Sequence, residues 1–297
     1  MIQTTRLRQV GIISMAVIET KNITYTYPGA TKPSITDVSL RIEKGEFTLI
    51  TGPSGCGKTT LCRCFNGLIP HFYQGELKGE ITSIGLNVAE QPIYELAKHV
   101  GLVFQNPENQ LFALSVEKDV AFGLENLGLP REEMRRRVDD AMKLTGTYDL
   151  RERAPHELSG GQQQRVAIAS VLAMQPEVII LDEPTSFLDP LSAKKIFEVI
   201  DHLNKNLGIT IVLVEHRLDL TARYTNHIIV MDEGKIVLDG NPREILRSEE
   251  ARLIGIGIPK ATRLYQILKK DRIDLNDTVP LCSEEMATLL KEALQAQ

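Results

Sequence analysis

The sequence lacks several features that assign a chain to a broad class. No apolar run approaches the ~18–20 residues of a membrane-spanning helix, and the N-terminus has no apolar signal-peptide core. The four cysteines match neither a disulfide framework nor a zinc site, so we expect free thiols of a reducing cytosol. With 34 Lys and Arg against 39 Asp and Glu, the formal net charge of −5 disfavours broad, unspecific nucleic-acid binding. The four cysteines of the chain are Cys56, Cys62, Cys64 and Cys282.

The length of 297 residues suits one large domain with a small appendage, and the 42% of apolar residues suits a globular core. Strand-like alternation begins after Met15, a candidate start, and we expect residues 1–16 to form an N-terminal tail. We expect a main domain over residues 17–245, with a helical subdomain at about 85–165, and a helical extension over 246–297.

Short apolar runs alternate with helical patterns in the main domain. Residues 178–181 and 209–214 are predicted as buried strands separated by a helix, which favours a parallel α/β sheet. Residues 228–231 and 235–238 flank a turn and predict a hairpin.

The segment from Gly52 to Thr60 has the spacing of a phosphate-binding loop. An apolar strand precedes it and a helix follows it, the context that such a loop requires. Its backbone N–H groups would face the phosphates, Lys58 would contact the β- and γ-phosphates, and the Thr59 hydroxyl would bind Mg²⁺. The predicted nucleotide-binding residues here are Gly52, Pro53, Ser54, Gly55, Cys56, Gly57, Lys58, Thr59 and Thr60.

Two acids, Asp182 and Glu183, end the apolar strand at 178–181. Ligands bind at the carboxyl ends of parallel strands, so we expect Asp182 to hold Mg²⁺ and Glu183 to orient or deprotonate an attacking water. The alternative is that the two acids merely end a strand.

Three single residues are weaker candidates. Gln105 follows an apolar run and could reach Mg²⁺ or the water, and His216 could bond the γ-phosphate, although a lone histidine at a strand end is more often structural. Tyr27 could stack on adenine, although an aromatic residue there is more often part of the core.

A second glycine-rich segment, Leu158-Ser159-Gly160-Gly161-Gln162, offers more N–H groups and a hydroxyl. Because the same chain already has a phosphate loop, the economical interpretation is that this segment serves a nucleotide held by another subunit. The chain is therefore predicted to be a dimeric ATPase that closes around ATP.

The order of these segments resembles the ATP-binding-cassette (ABC) ATPase family over about residues 17–245. The resemblance implies an α/β P-loop NTPase of the ABC type, with a parallel-sheet core, an antiparallel β subdomain, a helical subdomain and a short helical C-terminal extension. It implies a head-to-tail dimer in which Ser159, Gly160, Gly161 and Gln162 complete the site of the second ATPase subunit. It also assigns catalytic roles to Gln105, Glu183 and His216, and gives ATP and Mg²⁺ as cofactors.

A finer resemblance rests on residues 103–112 and 116–123, which are similar to the ATPases of energy-coupling factor (ECF) transporters. It implies a second coupling glutamine, Gln110, and import of a vitamin or a transition-metal ion. The implied partners are a transmembrane coupling subunit and a substrate-capture subunit at the cytoplasmic face of the cell membrane, with no nucleic acid. Phe187 departs from the family, which usually has a small residue at this position of the subunit seam.

Several alternatives stay open at this point. The substrate is not encoded, and a homodimer or a heterodimer fits. A conventional ABC transporter is the nearest other function. The interval between the phosphate loop and the second glycine-rich segment has no sustained heptads, which disfavours a DNA-repair ATPase of the ABC type. The sequence has one copy of the second glycine-rich segment, which disfavours a ribosome-associated ABC protein, since those carry two cassettes. A phosphate-loop kinase would leave the second glycine-rich segment unexplained.

Overall fold

The computed structural model describes residues 16–295, in which two β-sheets are flanked by helices. The predicted N-terminal tail lies outside the described residues except for Ala16, which begins the first strand. The strands are β1 (Ala16–Thr26), β2 (Ile35–Glu43), β3 (Phe47–Thr51), β4 (Glu76–Ser83), β5 (Leu86–Asn87), β6 (Val100–Val103), β7 (Val178–Asp182), β8 (Thr210–Val214), β9 (His227–Asp232) and β10 (Lys235–Gly240).

Helices cover both faces of the larger sheet and form the C-terminal part of the chain. They are α1 (Lys58–Phe65), α2 (Leu68–His71), α3 (Ile93–Leu96), α4 (Val116–Asn126), α5 (Arg131–Leu144), α6 (Gly160–Ala173), α7 (Pro190–Leu207), α8 (Leu218–Thr221), α9 (Pro242–Arg247), α10 (Glu249–Ile254), α11 (Lys260–Lys270) and α12 (Ser283–Gln295). Within residues 16–295, none of these helices is long and apolar enough to cross a lipid bilayer.

The six-stranded sheet has the order β10-β9-β3-β8-β7-β6. Its neighbours are parallel from β9 to β6, and β10 joins the edge antiparallel through the predicted hairpin with β9. Every residue of β3, β7 and β8 is buried, because helices cover both faces of this sheet. The parallel α/β sheet predicted from the apolar runs is confirmed.

Alternate residues of each central strand belong to two different cores. Leu49, Ile179 and Leu181 pack in the core that contains α6 and α7. Ile50 and Ile180 pack on the other face, in the core that contains α1 and the smaller sheet. This smaller sheet is antiparallel, in the order β2-β1-β4-β5.

The helical segment predicted at about residues 85–165 is too wide at its start. Residues 100–103 form β6, which pairs in parallel with β7 at the edge of the main sheet. Helices α4 and α5 follow, and both pack against α6. The four-residue run of β6 is too short for periodicity to separate a strand from a helix, and only its pairing with β7 decides the matter.

The last helices form a small core of their own. Tyr265 of α11 and Met286 and Leu289 of α12 are buried together with Leu275 and Val279. Two arginine–glutamate ion pairs attach this small core to the rest of the chain. Arg243 donates to Glu285 through both terminal guanidinium nitrogens, at 2.8 and 3.0 Å, and Arg223 donates to Glu284 at 3.0 Å.

Candidate active site

The phosphate loop connects β3 to α1 with a backbone that glycine alone adopts easily. Gly52 has φ 145°, and a Cβ added there would lie 2.0 Å from the carbonyl oxygen of Met231. Gly57 has φ 104°, and its Cβ would lie 2.6 Å from the carbonyl oxygen of Ser34. Both positions combine a left-handed backbone with close approach of another chain segment, so a side chain is excluded twice over.

Lys58 begins α1 and is 5% exposed. Its ammonium group donates to the carbonyl oxygens of Gly52 at 3.1 Å and Pro53 at 2.9 Å. The charge therefore lies over the loop, where phosphate oxygens could replace these carbonyl oxygens as acceptors. No side chain caps the start of α1, which leaves its first N–H groups to an anion.

Asp182 ends β7 beside the phosphate loop and is 7% exposed. Burial raises the pKa of Asp182, and a hydrogen bond with the side chain of Thr59 opposes this shift. Within residues 16–295, Oδ1 of Asp182 is buried and has no hydrogen-bond partner. A buried carboxylate oxygen without a donor, next to a hydroxyl, fits a cation that prefers oxygen ligands, such as Mg²⁺.

No group of three or more His, Cys, Asp or Glu residues in the described part of the chain is arranged to hold a metal ion. Mg²⁺ is commonly held by one or two protein groups together with waters and the substrate's phosphates, and Thr59 and Asp182 are two groups with oxygen ligands.

Glu183 lies at the centre of the three side chains predicted as catalytic. Nε2 of Gln105 donates to its Oε2 at 2.9 Å, and Nε2 of His216 lies 3.0 Å from its Oε1. The hydroxyl of Ser186 donates to Oε2 at 2.9 Å. The carboxylate thus contacts three polar side chains and keeps a 20% exposed surface toward solvent.

The three side chains predicted as catalytic meet because of the strand order in the larger sheet. Gln105, Glu183 and His216 come one or two residues after β6, β7 and β8, which are neighbours in parallel. Glu183 has φ 47°, a left-handed conformation that costs energy for a residue with a side chain, and its N–H donates to Val214 O at 3.0 Å.

The second glycine-rich segment begins α6. Ser159 is the N-cap, and its hydroxyl accepts from the N–H of Gln162 at 3.4 Å. Oε1 of Gln162 accepts from the N–H of Ser159 at 2.9 Å, which completes a capping box. Ser159 and Gly160 are exposed, and in residues 16–295 no hydrogen bond joins Ser159–Gln162 to the phosphate loop.

Two glutamines attach the loop after β6 to α6. Nε2 of Gln110, in the loop, donates to Ala167 O of α6 at 3.5 Å, and Nε2 of Gln164, in α6, donates to Phe104 O of the loop at 3.4 Å. Exposed apolar side chains follow: Phe112 is 66% exposed and meets Phe122 edge to face at 4.7 Å. A surface of this kind next to the candidate site is typical of a protein interface.

Tyr27 lies beside the phosphate loop but packs against its own neighbours. Its ring meets Tyr25 edge to face at 4.8 Å. Its hydroxyl lies 3.3 Å from Thr60 Oγ1 and accepts from Arg63 at 3.0 Å. Stacking of this ring on adenine stays a prediction.

The sequence did not reveal several contacts. Ser186 was not among the predicted site residues, and its hydroxyl donates to the carboxylate of Glu183. Gln164 and Thr185 were not predicted as part of the site, because a single glutamine or threonine carries no pattern that separates it from a core residue.

Phe187, expected at the subunit seam, is 75% exposed. The four cysteines are free and buried.

Comparison with known families gives an independent result. The family model for ABC transporters matches residues 35–186. The chain is 48% identical, over 86% of its length and 92% of the relative, to an ABC transporter ATP-binding protein of Pyrococcus abyssi. It is 41% identical to the energy-coupling factor transporter ATP-binding protein EcfA1 of Caldanaerobacter subterraneus, over 92% and 98% of the two chains. In relatives from Methanosarcina species the chain spans less than half the length.

Solved structures agree with these relatives. The structure of cbiO1 from Clostridium perfringens, described as part of the ABC transporter complex cbiONQ, aligns with TM-score 0.72 and 36% identity over 86% of this chain and 99% of that one. An ATP-binding cassette dimer in a post-hydrolysis state bound to ADP and phosphate aligns with TM-score 0.67 and 31% identity, over 76% and 99%.

The chain therefore belongs to the ABC transporter ATPase family, and its relatives include ECF transporter ATPases. It is an ATP-binding subunit of an ABC transporter and an ATPase, with the ABC fold predicted from its motifs.

Proposed function

We propose that this chain is the ATPase of an ECF-type importer, and that two ATPase subunits close around two Mg-ATP molecules to drive uptake of a vitamin or a transition-metal ion. The observation that carries the catalytic part is the hydrogen-bonded set of Gln105, Glu183 and His216 at the edge of the sheet. The ECF part rests on the 41% identity to EcfA1 and on the cbiO1 structure.

The chemistry follows from the positions of the side chains. Lys58 exchanges its carbonyl acceptors for phosphate oxygens, and the N–H groups of residues 52–60 face the same phosphates. Glu183 orients the attacking water and accepts its proton, while His216 contacts the γ-phosphate. Thr59, Asp182 and the amide oxygen of Gln105 would hold Mg²⁺, which when bound neutralises developing charge on the phosphates.

The second subunit completes each site. Ser159 and Gly160 are exposed at the start of α6, where the capping box provides acceptors for the N–H groups of Ser159 and Gln162. With Gly161 and Gln162 they would bind the γ-phosphate of ATP held by the partner subunit. The solved dimer with ADP and phosphate supports this arrangement for a related cassette.

The predicted domains would have different roles. Residues 17–245 form the ABC ATPase domain, and residues 246–297 the helical extension. The exposed aromatic surface around Phe112 and Phe122 would dock on a transmembrane coupling subunit, which in turn binds a substrate-capture subunit. These partners place the chain at the cytoplasmic face of the membrane, and the proposal includes no nucleic acid.

Purification of the tagged chain from detergent-solubilised membranes tests this function. We expect two kinds of membrane protein to co-purify, a coupling subunit and a small substrate-capture subunit. Phe112→Ser should reduce their recovery at least severalfold, because it removes an apolar ring that is 66% exposed. Leu207→Ser is the control, since Leu207 is 49% exposed at the end of α7, far along the chain from the aromatic surface.

A conventional ABC transporter is the second candidate, and the Methanosarcina relatives, which are more than twice as long as the matched segment, are compatible with it. Recovery of a pair of conventional permease subunits would reject the ECF assignment and leave the ATPase intact. Equal recovery with Phe112→Ser and Leu207→Ser would reject the docking surface.

A further inference from the structure

Two loops carry the site, and one buried carboxylate joins them. We propose that Glu215, together with Thr185 and Arg217, is a positioning group that fixes the loop of His216 relative to the loop of Glu183. The inference rests on the roles given to Glu183 and His216 in the proposed function, and it assigns work to three residues that have none in that function.

Glu215 lies between β8 and His216 and is 1% exposed. Its Oε1 accepts from the N–H of His216 at 2.9 Å and from the N–H of Arg217 at 3.2 Å. Its Oε2 accepts from the hydroxyl of Thr185, which is fully buried. One oxygen therefore holds the backbone at the histidine, and the other holds the loop two residues after Glu183.

Arg217 makes the return connection. Its guanidinium donates to the carbonyl oxygen of Thr185 and, at 3.3 Å, to that of Leu188. Because Leu188 lies in the loop of residues 184–189, the arginine holds the far end of the loop whose near end Glu215 holds. The main-chain bond from Glu183 N to Val214 O, at 3.0 Å, fixes the base of the two loops.

The site needs such a connection. The 3.0 Å contact between Glu183 and His216 joins side chains from loops that are 33 residues apart in sequence. Neither side chain is deeply buried, since Glu183 is 20% and His216 40% exposed, so packing alone does not set their separation. A misplacement of about 1 Å in a catalytic arrangement can lower the rate ~10²-fold, and buried hydrogen bonds to the backbone are the means of preventing it.

A positioning role differs from a purely structural one in its kinetic signature. Displacement of His216 affects the chemical step, while Lys58 and the phosphate loop bind ATP as before. The rate constant kcat should therefore fall and KM should stay nearly constant.

The test compares four variants of the full chain in steady-state ATP hydrolysis, with melting temperatures measured alongside. Thr185→Val removes the hydroxyl at nearly constant volume, and Thr185→Ser keeps it. Arg217→Met removes the guanidinium donors from a half-buried side chain. Thr145→Val is the control: Thr145 follows the last residue of α5 and is 1% exposed, and its hydroxyl donates to Ala141 O at 2.9 Å, outside the site.

We expect Thr185→Val and Arg217→Met to lower kcat about tenfold or more, with KM within about twofold of the wild type. Thr185→Ser should restore most of kcat, and Thr145→Val should keep it. Unchanged kcat in Arg217→Met overturns the proposal, and this variant decides the matter if Thr185→Val does not fold. A parallel change of KM and melting temperature without rescue by serine also overturns it, because it would show a structural role alone.

The experiments distinguish a failure of the proposed function from a failure of the positioning role. Normal hydrolysis by a Glu183→Gln variant would remove the catalytic base from the site. Loss of hydrolysis in Glu183→Gln, with full activity in Thr185→Val and Arg217→Met, would overturn only the positioning role.

Discussion

Replacement of Glu183 by glutamine separates the chemistry of this carboxylate from its structural contacts. The carboxylate accepts from Gln105 and Ser186 through Oε2, both at 2.9 Å, and lies 3.0 Å from His216 through Oε1. A glutamine of the same shape can keep its amide oxygen toward Gln105 and Ser186. Its amide nitrogen can then donate to Nε2 of His216 in the Nδ1–H tautomer.

The structure therefore predicts a small change in stability and a large change in rate. All three neighbours keep a partner, so the free energy of unfolding should change by less than about 1 kcal/mol. The amide cannot take a proton from water, and loss of a general base lowers kcat ~10²–10⁴-fold, or about 3–5 kcal/mol in the barrier. ATP binding should persist, because Lys58 and the phosphate loop are untouched.

The assay measures phosphate release, ATP affinity and the oligomeric state of the full chain on a sizing column with ATP and Mg²⁺. We expect Glu183→Gln to bind ATP, to accumulate as a dimer and to release phosphate at least a hundredfold more slowly.

Glu177→Gln is the matched control. Oε1 of Glu177 lies 3.2 Å from Nδ1 of His99, so it also pairs a carboxylate with an imidazole. Glu177 precedes β7, whereas Glu183 follows it, and the two acids are at opposite ends of this strand. Phosphate release by Glu183→Gln within about threefold of the wild type would refute the base assignment. An equal loss in Glu177→Gln would show that the effect does not come from the site.

Two further predictions concern binding and pH. Lys58→Ala should weaken ATP binding about tenfold or more in calorimetry, since charge-assisted bonds to phosphate are lost, and an unchanged dissociation constant would contradict this. Hydrogen bonds to Asp239 and then Glu46 raise the pKa of His227 to about 9. The resulting stability is fully present below pH ~6.5 and is lost as the pH rises through about 9. Urea unfolding at a series of pH values from ~6.5 to about 9 measures this effect. Over that range the free energy of unfolding of the wild type should fall by up to about 3 kcal/mol more than that of His227→Gln, and an equal pH dependence of the two proteins would refute the pairing.

Much of the local structure could be predicted from the sequence because it depends on short-range patterns. The spacing from Gly52 to Thr59 requires glycine where the backbone is left-handed and crowded by Met231 O and Ser34 O. The buried strands β7 and β8 follow from uninterrupted apolar runs, and the turn at Gly234, with φ 77°, ends β9 and begins β10.

Prediction was weakest where long-range pairing decides. Residues 100–103 were included in a helical segment, yet they form β6, because β7 offers them a parallel partner. Ser159 and Gln162 were predicted as ligands of a nucleotide. The structure shows that they also cap α6 through two hydrogen bonds, a local role that agrees with their sequence spacing.

The sequence by itself determined the family of this protein, its phosphate loop, the two acids at the end of β7 and the start of α6, because each depends on residues that are close in the chain. The tertiary structure decided that Gln105, Glu183 and His216 share hydrogen bonds, although 78 residues separate the first two and 33 the last two. The physical reason is the order β6-β7-β8: parallel neighbours bring their carboxyl ends to one edge, about 5 Å apart from strand to strand. The same order places Glu215 beside Thr185, which no local pattern in the sequence indicates.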